Sequence, residues 1–145
     1  MVPLQNIVFG LSVPPIDANG TTPTATVFDT AQITNGLGPS CTVGVLISIG
    51  NIAANATSCI VQEASDSGFS TDVATVVTFT NPTAAGSDNT LLFATINMGA
   101  RQRYFRVQIT GGAGATLVSA VFMALPTGIA PSTATLRGVA QYQNV

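Results

Sequence analysis

Very few residues in this chain could do chemistry. The 145 residues include six carboxylates, two cysteines and no histidine. The carboxylates are Asp17, Asp29, Glu63, Asp66, Asp72 and Asp88. Glycoside hydrolysis needs a facing pair of them, and only Glu63 with Asp66 or Asp72 lies close in sequence. The simpler reading makes them turn and strand-edge acids. A calcium site needs six to eight oxygens. The stretch EASDSGFSTD offers three carboxylates, without calcium-loop spacing. Nucleophilic catalysis by Ser or Cys needs a base, usually histidine. A structural zinc needs four ligands, typically Cys or His. Cys41 and Cys59 cannot supply them, and read as two buried thiols, with a Cys41–Cys59 bridge as the alternative. These counts predict no catalytic residue, no cofactor and no metal.

Short motifs add no activity. Residues 111–116, GGAGAT, lack the lysine of a phosphate loop and read as a hairpin turn. LPTG at 125–128 lacks the spacer residue of a cell-wall sorting signal. Asn19-Gly-Thr and Asn55-Ala-Thr match glycosylation sequons, which matter only in a secreted chain. The opening MVPLQNIVFG has no positive region and places Pro3 early, unlike a secretory signal.

Composition points towards a covered surface. Charged residues make up 7% of the chain against 46% hydrophobic, where about 25% charged is usual. A free monomer with so thin a charged coat would be poorly soluble. No apolar run of about 18 residues marks a membrane helix, so no membrane partner is expected. Four arginines and no lysine give a net charge of −2. Arg101, Arg103 and Arg106 form the sole basic cluster, and no nucleic acid is expected. Burial within an assembly remains.

The elements that would position these residues are strands. TVGVLISIG at 42–50 alternates Val43, Val45, Ile47 and Ile49 against Gly44, Leu46 and Ser48, the period of a half-buried strand. TATVFDT (24–30), CIVQEA (59–64), DVATVVTFT (72–80), TLLFATINM (90–98), RYFRVQIT (103–110) and TLVSAVFMAL (116–125) read likewise. In CIVQEA, Cys59, Val61 and Glu63 share one face. Turn residues separate the strands, and no segment keeps a helical period. The pattern predicts an all-β fold: an antiparallel β-sandwich, jelly-roll or immunoglobulin-like, of seven to eight strands. The sandwich domain spans 24–125, between extended arms at 1–23 and 126–145, the latter with one short strand near 135–142. Val45, Ile47, Val61, Phe105, Val107 and Ile109 are the expected core.

Three stretches carry a resemblance. VQEASDSGFSTDVATVVTF, INMGARQRYFRVQIT and ATLVSAVFMALP together resemble a layout found in small virion proteins of tailed bacteriophages. In that layout a Val-Gln-Glu strand enters a Ser-Asp-Asp-Gly-type turn, followed by Phe or Trp and Thr-Asp-Val. A Lys/Arg-Arg-Tyr-x-Arg-Val strand, a glycine turn and a Val/Ala-rich strand complete it. The likeness covers about residues 43–125. Val61, Gln62, Glu63, Asp66, Gly68, Phe69, Thr71, Asp72 and Val73 occupy the first part, and Arg103, Tyr104, Arg106 and Val107 the second. It implies a structural virion protein with a β-sandwich core. The tail past Leu125 departs from the layout and suggests an extra contact arm.

The resulting expectation is a capsid decoration (cement) protein. It would be a homotrimer on the outer surface of a phage head, made in the host cytoplasm, with the major capsid protein as partner. A head–tail connector or tail accessory protein is the alternative. A carbohydrate-binding module ranks lower, because the chain has no tryptophan and only Tyr104 and Tyr142. The expected contacts lie on the arms, at Leu4, Ile7, Val8, Phe9, Ile129, Leu136 and Val139. These apolar residues lack a place in a two-layer core, and arms of this kind can add strands to a neighbour's sheet.

Overall fold

The computed structural model describes residues 8–33, 42–125 and 141–144. Their strands are β1 (Val8–Asp17), β2 (Phe28–Asp29), β3 (Thr42–Ile52), β4 (Ser58–Ala64), β5 (Ala74–Thr78), β6 (Thr90–Asn97), β7 (Tyr104–Thr110), β8 (Thr116–Leu125) and β9 (Gln141–Asn144). One sheet has the order β1-β8-β3-β6-β9 and the other β2-β7-β4-β5. The all-β sandwich expected from the alternating strands is therefore present.

The strand order decides between the two expected topologies. β1 pairs with β8, β2 with β7, β3 with β6 and β4 with β5, all antiparallel. The chain is thus one long hairpin whose tip is the β4–β5 turn, folded over so that β3 also meets β8 and β4 meets β7. From β1 to β8, every consecutive pair except β4–β5 lies in opposite sheets. This is the eight-stranded jelly roll, not the immunoglobulin arrangement. One element breaks the antiparallel rule: β9 runs parallel to β6.

Several local expectations need correction. The proposed arm at 1–23 contains β1, which belongs to the sheet. Pro14 and Pro15 hide it in the sequence, since proline cannot donate to a ladder. They are tolerated because β1 is an edge strand whose register against β8 shifts twice, between Leu11 and Val13 and between Val13 and Ile16. The strand expected at 24–30 shrinks to Phe28–Asp29, and the one near 135–142 falls at Gln141–Asn144. The glycine stretch after β7 is not a hairpin turn, because β7 and β8 lie in different sheets. It crosses between them and presses on the 53–55 loop. A methyl group at Gly112 would collide with the backbone oxygen of Asn55 and stand 2.9 Å from Ala54 Cβ.

The inward faces fill the space between the sheets. Val45, Ile47, Val61, Phe105, Val107 and Ile109 are all buried there, as the alternation predicts. Phe122 stacks on Phe28 with ring centroids 5.1 Å apart and meets Phe105 edge-on at 6.2 Å. Among the buried polar groups, Ser12 is fully enclosed and links two elements. The Ser12 hydroxyl accepts the Val107 N–H at 3.0 Å and donates to the Thr26 carbonyl at 3.3 Å, tying β1 to the opposite sheet. Ser12→Ala would leave the Val107 N–H without that acceptor. It is expected to cost about 1–3 kcal/mol, read as a lower urea midpoint at unchanged m-value.

Candidate functional site

Each carboxylate has a structural role. Asp17 accepts the N–H groups of Thr116 (2.7 Å) and Asn19 (3.1 Å), fixing the start of β8. Asp88 accepts the Ile52 N–H at 2.8 Å, at the end of β3. Asp29 takes two parallel bonds from Arg103, each 2.8 Å, and this pairing first, with the Ala31 N–H, holds its carboxyl below the usual range. Asp72 accepts from the Ser65 hydroxyl at 3.2 Å. Glu63 points inward, as its phase with Cys59 and Val61 predicts. It is buried, accepts the Gln102 N–H at 3.1 Å and lies 3.7 Å from Arg101. Cys59 is a free buried thiol, pushed up to about 12 by desolvation, which keeps it protonated and unreactive. Cys41 lies outside the described residues. Among the described residues, no three His, Cys, Asp or Glu side chains group to hold a metal ion.

The stretch EASDSGFSTD is a self-contained loop between β4 and β5. Its centre is Asp66, which accepts N–H bonds from Gly68 (2.9 Å), Ser70 (3.0 Å) and Thr71 (2.6 Å), and the Ser70 hydroxyl at 3.1 Å. These donors engage both carboxylate oxygens. They also turn the chain so that Phe69 adopts a positive φ of 53° and lies nearly buried. The Arg106 guanidinium stacks 4.2 Å above the Phe69 ring and gives Gln62 Oε1 two bonds, 3.0 and 2.8 Å. The loop is therefore clamped to the outer face of the four-stranded sheet.

This clamp has a pH signature. Desolvation pushes the Asp66 carboxyl up, but the bonds from Thr71, Ser70 and Gly68 outweigh it and hold it below 3.8. A depressed carboxylate contributes stability above its unfolded pKa and loses it as pH falls through the folded one. The loop should therefore stay ordered down to about pH 4 and loosen below it. The Ser70 and Thr71 amide resonances would report this, with a midpoint under 3.8. A midpoint at or above that value would show that the carboxylate is not engaged.

The two outer faces of the sandwich differ sharply in charge. Arg101, Arg103 and Arg106 gather in β7 and the segment before it, and each has a partner: Glu63, Asp29 or Gln62. No unpaired basic patch arises from them. In the five-stranded sheet, Asp17 at the end of β1 is the one charged residue among the described strands. Most described outward positions of β1, β3, β6 and β8 are apolar or small. Phe9 is 63% exposed, Leu11 48% and Leu117 46%. Val121, Met123 and Leu46 lie half-buried between them. Phe93 and Met123 close over Gly44, where a Cβ would stand 3.1 Å from the Phe93 ring and 3.0 Å from Met123 Cγ. The glycine thus lets two large side chains lie flat.

Two of the expected contact residues fall in a described strand of this sheet. Phe9 belongs to it, and Val8 starts the same strand. Leu4, Ile7, Ile129, Leu136 and Val139 lie outside the described residues. Leu11, Leu46, Phe93, Leu117, Val121 and Met123 were not anticipated. The available signal was that TLLFATIN and TLVSAVFMAL are largely apolar at both phases of their alternation.

No family model matches this sequence, and no curated protein matches it. Among solved structures, the coat protein of Tobacco streak virus aligns with 91% of this chain and 95% of its own, at 13% identity and a TM-score of 0.32. A likeness at that score carries no argument for this chain.

Proposed function

We propose that the chain is a structural virion protein, a capsid decoration (cement) protein that binds the outer surface of a phage head through the major capsid protein. The observation that carries this reading is the uncharged, apolar outer face of the five-stranded sheet, which a chain working alone would expose to water. Three further points support it. Each carboxylate described here braces the fold rather than facing a cleft. The paired arginines favour a protein partner over nucleic acid. The jelly roll is a recurrent viral capsid architecture, an argument by fold analogy alone. On this reading the apolar face supplies about 25 cal/mol for each Å² it buries. The arms at 1–7 and 126–145 add contacts through Leu4, Ile7, Ile129, Leu136 and Val139, and many copies together stabilise the shell by avidity. A homotrimer would place three such faces on one site.

The test is addition of the purified chain to heads stripped of accessory proteins, followed by quantification of bound copies. Saturable binding on the order of hundreds of copies is expected, with raised resistance of the head to heat. A stoichiometry of about a dozen would instead indicate a ring-forming connector or tail accessory protein. Failure to bind any virion part, with retention on a glycan surface, would favour the carbohydrate-binding reading.

A further inference from the structure

The geometry of β9 points to a strand that is exchanged between copies. We infer that the outer edge of β6 is a docking site for residues 141–144 of a neighbouring copy of this chain. This rests on the reading that the protein works as an assembly. β9 pairs with β6 through Leu92 and Gln141, Phe93 and Tyr142, Ala94 and Gln143, and Thr95 and Asn144. It is the one parallel strand pair among the described residues. Without it, β6 would end the five-stranded sheet and leave a row of backbone groups open to another strand. A short parallel pairing on an edge is weakly held, and the bonds are the same whichever copy supplies the strand.

The reach of the connection permits exchange. β8 ends at Leu125, level with Thr42 and Asn97. β9 begins level with Leu92. Within one chain the connection must cross three strand spacings, roughly 14 Å, and return roughly 17 Å along β6, a separation of about 22 Å. Residues 126–140, fully extended, reach roughly 50 Å. That is about twice the separation and enough to deliver β9 to an adjacent subunit. In a dilute monomer the local end is favoured by effective concentration. Once copies sit side by side, exchange costs little, because identical pairings are made and broken.

Disulfide trapping tests this. In a Cys41→Ser background, chains carrying Thr95→Cys alone and Asn144→Cys alone are tagged differently, co-expressed, assembled and oxidised. Cys59 is buried and does not compete. Exchange predicts a mixed disulfide of doubled mass containing both tags. The chain carrying both substitutions is the control. If it cross-links at monomer mass while the mixed pair never forms, β9 stays on its own chain and the inference is overturned. If neither cross-links, the β6–β9 pairing itself is absent and the inference also falls. Light scattering on the unsubstituted chain reports assembly separately, so loss of exchange can be told from loss of the assembled state.

Discussion

Phe122→Ala is expected to remove about 3–5 kcal/mol of folding stability. The side chain is fully buried, stacked on Phe28 and edge-on to Phe105. It stands in β8 between Gly10 of β1 and Val45 of β3. Its ring therefore joins the two sheets beneath the regular part of the β1–β8 ladder. Gly10 cannot compensate, since a side chain there would run into the Phe28 ring. A domain of this size holds roughly 5–15 kcal/mol in total, so the loss is a large fraction. The melting temperature should fall by about 10 °C or more. Val121→Ala, one residue away and facing outward, serves as the control and should cost under about 1 kcal/mol. Equal costs at the two positions would mean that β8 presents its faces in the opposite sense.

The contrast between these neighbours shows what a sequence of this kind reveals. β3, β7 and β8 were legible because β-branched and aromatic residues alternate with small or polar ones, and their inward set could be named directly. The inward direction of Glu63 was legible for the same reason. Its partners were not: Arg101 and Gln102 come from the approach to β7 and meet Glu63 only after the sheet has formed. The loop around Asp66 was readable as a turn because its donors are all within a few residues. Sheet membership was not readable, because a glycine-rich link looks the same whether it closes a hairpin or crosses between sheets. β1 was lost because Pro14 and Pro15 argue against a strand until the strand is known to lie on an edge. The apolar outer face escaped for a different reason. Binary patterning assigns one phase of a strand to the core, and a strand apolar at both phases gives no local sign of which partner covers the second.

Val121→Arg is expected to abolish assembly while leaving the subunit folded. Val121 is half-buried on the outer face, with Leu11 of β1 beside it on one flank and Leu46 of β3 on the other. In an isolated subunit the arginine stem can lie along this apolar surface with its guanidinium in water. The folding cost should therefore stay near 0.5 kcal/mol, about the usual size for a surface substitution. In an assembly that covers the face, the same charge would be removed from water. No acid on the sheet could pair with it. Asp17 is distant, opposite Leu117 at the far end of β8, and its carboxylate already accepts two backbone N–H groups. An uncompensated buried charge costs roughly 3–5 kcal/mol, which weakens binding by about two to four orders of magnitude. Light scattering should show monomers at concentrations where the unsubstituted chain associates, and stripped heads should bind little of the variant. The melting temperature of the variant subunit, nearly unchanged, separates this from misfolding. Undiminished association would show that the face stays open to water. The contacts would then lie on the arms at 1–7 and 126–145, where Leu4, Ile7, Ile129, Leu136 and Val139 reside.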